Sequence, residues 1–583
     1  MSKEVASKNL ENLRHSLAHL LAAAVIELWP ETKHAIGPAI DTGFYFDFEF
    51  KEPITEADLP KIEARMRQIL KTWDQFEKHA LTAQEAQKEY PQNPYKRELI
   101  EEFSKDGEKV TFYKSGDYWD LCRGGHVESM KRVDPQAFKL THLAGAYWRG
   151  DEKNQMLTRI YGAAFETKKE LDNFLTLQEE ARKRDHRKLG KDLDLFLFSD
   201  LVGPGLPLWT PRGTILRNLL DNFVWELRQE RGYQLVDIPH LTKKDLYEKS
   251  GHWSKFGNEL FRIKTREGHE FALKPMNCPH HTQIYARKQH SYRDLPQRYA
   301  STTKVYRDEQ TGELAGLTRV RAITQDDAHV FCRESQIKEE AFKIWDIVET
   351  FYKTFGFDLK VRLSVHDPEN MADYLGDKET WEKSVANLKD WLKERKADYF
   401  VGVGEAAFYG PKIDFIALDS LGRDWQVATL QIDRNMPNNF GLFCINEKGE
   451  KESVVMLHAA IMGALERFAA VLIEHLAGAF PTWLAPVQVV IIPISDNHKK
   501  YAQKVAEKLV QNGIRLELND ANETMGKRVR EAELQKIPYV LVLGDQEEKD
   551  DSVAVRKQGQ KEIKPQKLSA FITALVKEIR TKK

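Results

Sequence analysis

The stretch VYRDEQTGELAGLTRVR, residues 305–321, decides how the rest of the chain is read. A glycine-containing turn between two short runs predicts a hairpin. Arg307 and Glu309 fall on its first strand, Arg319 and Arg321 on its second. Guanidinium groups placed this way match phosphate oxygens with a planar fork of donors. Further on, GALERF (463–468) sets Arg467 at the start of a helical stretch, a second place to hold phosphate. Together the two segments suit a triphosphate; either one alone is equally what a surface ion pair produces.

Outward from this segment, size and composition set the frame. The 583 residues exceed the ~250–300 at which single cores stop growing, which predicts three or four domains. Charged residues make up 30%, hydrophobic ones 41%, and the formal net charge is −1. Bulk charge therefore does not mark a nucleic-acid binder, and any such contact rests on local basic surface. The N-terminal apolar run is short and interrupted by His15 and His19, which excludes a signal peptide. No stretch of 18 apolar residues occurs, so no membrane span is expected. Cys122, Cys278, Cys332 and Cys444 lie far apart. That is no disulfide framework, and it fits a reducing, cytoplasmic setting.

Periodicity divides the chain. Residues 1–167 mix helices with strands such as GFYFDFEF, and residues 168–191 read as one polar linker helix with a basic end. GPGLPLW (203–209) opens the largest segment, 192–484, in which a long amphipathic helix (214–232) precedes a strand running into Pro239. From 485 to 583, strand and helix alternate, predicting a small α/β domain with a mainly parallel sheet.

RDE followed by TRVR, and then GALERF, resembles the second and third signature motifs of class II aminoacyl-tRNA synthetases, and the helix and strand ending at Pro239 resemble the first. KPMNCP, TQDDAHVF, YGPKID, the WQ…LQID stretch and GAFPTWLAPVQ resemble threonyl-tRNA synthetases, in collinear order over nearly the whole chain. The resemblance implies an α+β multidomain protein. Its class II antiparallel-sheet catalytic core (192–484) would carry an α/β editing domain (1–167) and an α/β anticodon-binding domain (485–583). It implies a threonine–tRNA ligase that activates L-threonine with ATP, transfers it to tRNA(Thr) and hydrolyses mischarged seryl-tRNA(Thr). It also implies a homodimer through the first motif, in a form without the small N-terminal ubiquitin-like domain many members carry. A regulator that binds tRNA or its own message would have lost class II arginines or metal ligands, and a freestanding editing hydrolase would lack the middle segment.

Site residues follow from the same resemblance. One Zn2+ per chain is expected on Cys278, His329 and His458. A thiolate and two imidazoles suit zinc and leave a position for substrate, although by residue chemistry alone a buried cysteine and two core histidines read as well. Asp327 is expected to meet the threonine ammonium, with Gln325, Tyr409 and Gln431 beside it and Lys412 and Gln426 around threonine and ATP. Arg307 is expected on the α-phosphate, Arg319 and Arg467 on the distal phosphates, Glu309 in the same ATP site, and Mg2+ with ATP. In the editing domain the matching positions are His15, His19, Cys122, His126, Lys96, Asp120 and Tyr45. Read cold, HxxxH with CxxxH is equally a zinc candidate; the resemblance implies a site that works with bound water and no required metal. Glu523, Arg530 and Arg556 are the expected anticodon readers.

The chain departs from the family's wording at several points. Ile323 stands where an adenine-stacking Phe is usual, His280 where NCPGH has Gly, and Ala459 where Arg follows the third metal ligand. WQVATLQIDRNMP departs from the usual WQCGTVQLDFNLP. CRGGH replaces CRGPH, so Gly125 is expected to loosen the turn before His126.

Overall fold

The computed structural model describes residues 3–105, 109–560 and 562–582. The chain forms two compact units, one ending at Glu179 and the other beginning at Glu180. In the first, helix Lys3–Leu28 buries Leu17, Leu20, Leu21 and Ala24 against strand Gly43–Glu49 and helix Leu59–Leu70. The strand shows why the sequence alternates. Phe44, Phe46 and Phe48 are at most 1% exposed and face this core. Each such burial contributes roughly 1.5–3 kcal/mol. Gly43–Glu49 pairs antiparallel with Met156–Ala164, which pairs with Phe138–Tyr147. A separate three-stranded sheet joins Glu77–Leu81, Val110–Ser115 and Tyr118–Leu121.

The second unit is built on an eight-stranded sheet. Its order is Gln234–Leu235, Gln297–Tyr306, Ala322–Cys332, Val455–Ala464, Asp424–Asp433, Lys412–Leu418, Asp358–Val365 and Tyr399–Val403. The six inner strands run antiparallel to their neighbours, and both edge strands pair in parallel. The period of two sorts the side chains. Val330, Leu457, Ala459, Leu430, Ile413 and Phe415 face one core, into which helices Ile337–Thr354 and Leu465–His475 also pack. The intervening residues, His329, His458, Gln431 and Lys412 among them, take the other face.

Three expectations are corrected. Strand Gln297–Tyr306 ends before Arg307 and strand Ala322–Cys332 begins after Arg321, so all four residues of the motif lie on the connecting loop rather than on strands. The 168–191 segment is two helices, Lys168–Arg184 and His186–Asp192. The break is at Asp185, whose carboxylate caps the second helix at the Arg187 N–H. The C-terminal sheet, ordered Leu516–Leu518, Val489–Pro493, Tyr539–Leu543, Ser552–Lys557, Lys564–Lys567, is parallel only among its first three strands. The connection leaving Tyr539–Leu543 is too short for the crossover of a dozen or so residues that a parallel neighbour requires.

The C-terminal sheet domain grips helix Pro211–Gln229 at both ends. Near its start, Arg212 donates to Glu517 at 2.5 Å and to Gln535 at 2.6 Å. Near its end, Glu226 accepts from Lys582 at 2.8 Å.

Candidate functional site

Register in the eight-stranded sheet lays out one row of polar side chains. Lys412 pairs with Gln431, Gln431 with His458, and His458 with His329. Directly opposed residues share a face, so four strands deliver these groups side by side. Asp327, two residues before His329, joins the same face. Tyr409 stacks on His458 (ring centroids 4.7 Å apart) and donates to Gln431 at 2.5 Å. Asn277 donates to Asp327 at 3.0 Å.

A cavity of about 560 Å³ opens beside this row and is lined by Arg307, Glu309, Arg319, Gln325, Lys412, Gln426, Gln431 and Arg467. Residues predicted separately for nucleotide and amino acid thus share one space. Arg319 is held by Glu309 at 2.7 Å and Glu313 at 3.1 Å. Arg307 lies over the Phe256 ring, and among the described residues no carboxylate pairs with it or with Arg467. Burial lowers the pKa of both guanidinium groups, and the buried Arg307 Nε has no hydrogen-bond partner. Glu259 and Glu309 attract Arg307 without pairing with it, and two desolvated cations with no carboxylate ion pair among the described residues favour an anionic ligand. Lys412 is tied to Asp414 at 2.9 Å. Ile323 lines the cavity, offering an aliphatic side chain where a ring would stack.

Next to the cavity, one ligand atom from each of Cys278, His329 and His458 lies within 4.8 Å of the others. All three residues are buried. His329 Nε2 faces His458 Nδ1 at 3.1 Å. The remaining nitrogens are occupied: His458 Nε2 by Asp433 at 3.0 Å, His329 Nδ1 by His281 Nδ1 at 2.7 Å. Burial, with His281 and His458 beside it, holds His329 well below the usual imidazole range, in the neutral form that ligates metals. Outer partners that fix ring orientation are what a metal site requires. His252 Nε2 lies 3.5 Å from Cys278 Sγ. Sequence reasoning missed His281, Asp433 and His252. Only His281 carried a signal, three residues past Cys278 on helix Cys278–Ala286. It also missed Glu466, fully buried, which accepts from the Thr324 N–H and hydroxyl at 2.7 Å each and fixes the strand bearing Gln325. His280 hydrogen-bonds Thr242 at 2.5 Å and, pushed to about 4 by burial, stays neutral.

In the first unit, His15, His19, Cys122 and His126 also place ligand atoms within 4.8 Å of one another. His19 and Cys122 are buried and His15 and His126 half-buried. Cys122 Sγ is 3.5 Å from His15 Nε2 and 3.4 Å from His126 Nε2. Burial pushes the Cys122 thiol up to about 11, while burial and His15 push His126 down to about 3. The group is thus a thiol among neutral imidazoles. Behind it Asp120 receives Lys96 at 2.6 Å, Tyr90 at 2.7 Å, Tyr118 at 2.9 Å and His34 at 3.3 Å, with His19 at 3.6 Å. Burial works against ionisation of Asp120, but Lys96, His34 and His19 outweigh it and hold its pKa well below the carboxylate range. Lys96 is therefore committed to Asp120. Tyr45 packs under Arg159, 3.7 Å from ring centroid to guanidinium, and against Tyr161; among the described residues its ring meets no member of the tetrad. The turn before His126 uses the freedom of both glycines. Gly124 and Gly125 have φ of 103° and 89°, a path closed to proline, and the Gly125 carbonyl lies 3.2 Å from His15 Nδ1.

In the C-terminal domain, Glu523 precedes helix Met525–Leu534 and bonds Lys527 at 2.6 Å. Arg530 is exposed on that helix, while Arg556 pairs with Glu533.

Three family models match. They are the tRNA synthetase class II core domain (G, H, P, S and T) over residues 261–476, the anticodon binding domain over 488–578, and the threonyl and alanyl tRNA synthetase second additional domain over 110–161. A threonine–tRNA ligase of Porphyromonas gingivalis is 47% identical over 97% of this chain and 87% of its own length. One from Thermus thermophilus is 46% identical over 98% and 89%. Among solved structures, the RNA binding domain of threonyl-tRNA synthetase from Cryptosporidium parvum is 35% identical, covering 68% of this chain and 98% of its own, with a TM-score of 0.65. A Giardia lamblia prolyl-tRNA synthetase, 17% identical over 69% of this chain and 81% of its own with a TM-score of 0.53, shares the fold alone. With the arginine-lined cavity, the polar row and the N-terminal tetrad already in place, the chain belongs to the threonine–tRNA ligase family of class II synthetases.

Proposed function

We propose that the ligase reaction of this chain is carried by the cavity between the motif loop and the polar row. The enzyme activates L-threonine with ATP, transfers it to tRNA and carries an editing domain for mischarged product. The observation that carries the site assignment is that Arg307 and Arg467, which form no ion pair among the described residues, share one cavity with Lys412 and Gln431, from which the strand register continues to His458 and His329. Activation joins a threonine carboxylate oxygen to the α-phosphorus and expels pyrophosphate, whose charge Mg2+ shares. Arg307 holds the α-phosphate, and Arg319 and Arg467 the distal ones, with Glu309 setting the position of Arg319. Their contribution is positioning and charge stabilisation. Asp327 takes the ammonium, with Gln325, Tyr409 and Gln431 shaping the pocket and Lys412 and Gln426 between amino acid and nucleotide.

Cys278, His329 and His458 fit zinc: three convergent donors, two of them with their second nitrogen already anchored. Bound there, zinc supplies Lewis-acid positions open to an amine and a hydroxyl. A site built to receive the hydroxyl rejects valine by ~10⁴–10⁵, but serine, one methyl smaller, is separated by only ~1–3 kcal/mol. That shortfall gives the first unit its task. His15, His19, Cys122 and His126 hold water and the seryl-tRNA end, without metal, while Asp120, itself held by Lys96, lies behind His19 at 3.6 Å, and Tyr45 is an editing position by resemblance alone. Glu523, Arg530 and Arg556 read the anticodon.

Editing (1–167), linker (168–191), catalytic (192–484) and anticodon-binding (485–583) segments describe the division of labour. The protein is a cytoplasmic homodimer joined through residues 214–239, where the edge strand Gln234–Leu235 leaves Leu235 66% exposed. No helix among the described residues is long and apolar enough to cross a membrane. ATP–pyrophosphate exchange with threonine, serine and valine, with zinc measured on the same sample, tests the reading. Exchange with threonine and serine but not valine, at one zinc per chain, is expected; equal exchange with valine overturns it.

A further inference from the structure

His186 is buried, lies outside the cavity, and has no part in the reaction above. It sits at the first position of helix His186–Asp192, just after the break at Asp185. Both ring nitrogens are engaged. Nδ1 lies 2.7 Å from Glu474 Oε1, near the end of helix Leu465–His475, and the same oxygen accepts the His186 backbone N–H at 3.0 Å. Nε2 lies 3.0 Å from the backbone nitrogen of Leu317, in the loop between Arg307 and Arg321. An amide N–H only donates, so Nε2 accepts and Nδ1 carries the proton toward Glu474, which fixes the tautomer. Glu474 is itself held by Arg423 through its other oxygen.

The loop is shaped to receive this ring. Gly316 has φ 55°, and a Cβ there would lie 2.3 Å from His186 Nε2. Any other residue would strike the imidazole. Leu317 is fully buried in the core, and the residues after it, Thr318, Arg319 and Val320, line the nucleotide cavity. The helix that begins with the Arg467 motif and the loop that carries Arg307 and Arg319 are therefore joined through one imidazole.

We propose that His186 is a positioning residue for ATP: it fixes the Leu317 amide, and with it the height of Arg319 over the cavity, relative to the helix bearing Arg467. The inference rests on the reading of that cavity as the ATP site. The Nε2 acceptor is the working atom, so substitutions that keep it and remove it must differ. His186→Gln can present its amide oxygen to the Leu317 N–H. His186→Asn keeps a donor for Glu474 but falls short of the loop.

In threonine-dependent ATP–pyrophosphate exchange, His186→Asn is expected to raise KM for ATP roughly 10-fold, the scale of one buried N–H left without its acceptor. KM for threonine should stay within about 2-fold, and His186→Gln should recover most of the ATP effect. Hydrogen exchange at the Leu317 amide, read without nucleotide, should be fast in His186→Asn and slow in the parent and in His186→Gln. An unchanged KM for ATP in His186→Asn, or identical behaviour of the two variants, overturns the proposal. If the parent shows no threonine-dependent exchange, the reading of the cavity fails instead, and the amide measurement still decides whether His186 holds the loop.

Discussion

The chain contains two clusters of the same ingredients, cysteine and histidine, in opposite settings. Cys278, His329 and His458 are sealed, 0–4% exposed, and their spare nitrogens are tied to Asp433 and His281. His15, His19, Cys122 and His126 are four rather than three and half-open, and their nearest carboxylate, Asp120, is spent on Lys96, Tyr90, Tyr118 and His34. Ligand type alone does not separate the two clusters, since either set of donors could hold a metal ion; assigning zinc to one and water to the other is the proposal made above. The difference lies in what the second nitrogen of each imidazole touches and in whether solvent reaches the first.

The strongest way to break this comparison is Cys278→Ser. It should release zinc and lower threonine activation by roughly 10³-fold with the fold retained; metal analysis showing full occupancy would remove the distinction. Next is the double change His15→Ala/His19→Ala. Seryl-tRNA deacylation should fall by about 10²-fold or more with threonine activation unchanged. Steady-state charging with labelled serine reads this, and loss of a second bound zinc in the same variant would make the two clusters alike. Third, Asp433→Asn should weaken zinc binding by about 10–100-fold, measured by competition with a chelator, whereas Asp120→Asn should leave zinc content unchanged.

The smallest effect concerns pH. His126 has its pKa pushed down from 6.5 to about 3, by burial first and then by His15. Below pH 6.5 the unfolded chain binds a proton here that the folded chain refuses. Stability is therefore complete above the unfolded value and falls as pH drops toward the folded one. Between pH 7 and pH 5 the first unit should lose about 2 kcal/mol from this residue. His126→Gln should flatten that slope in thermal melts; an unchanged slope would show that His126 is not held neutral.

Much of this is legible in the sequence. The alternation of Phe44, Phe46 and Phe48 marks a strand face, and the resemblance to the family singles out Cys278, His329, His458, Arg307 and Arg467, which the structure brings into two neighbouring groups. The resemblance to the family was borne out by relatives spanning nearly the whole chain. What escaped was set by tertiary contact. The pairing of His329 with His281, and of Lys96 with Asp120, depends on strands and helices distant in sequence. The motif arginines lie on a loop because strand Gln297–Tyr306 stops short of Arg307 and the next strand begins only at Ala322, boundaries that a two-residue period does not mark. The break at Asp185 was readable from its capping chemistry, but the polar run on both sides concealed it.

The grip on helix Pro211–Gln229 has a consequence for protein engineering. Arg212 and Glu226 reach into the C-terminal domain through Glu517, Gln535 and Lys582. A chimaera that exchanges this domain for another RNA reader must transplant those three contacts as well as the recognition surface. If it does not, the half-buried Arg212 and the exposed Glu226 lose their partners at the two ends of the helix, and the seam is weakened before recognition is tested.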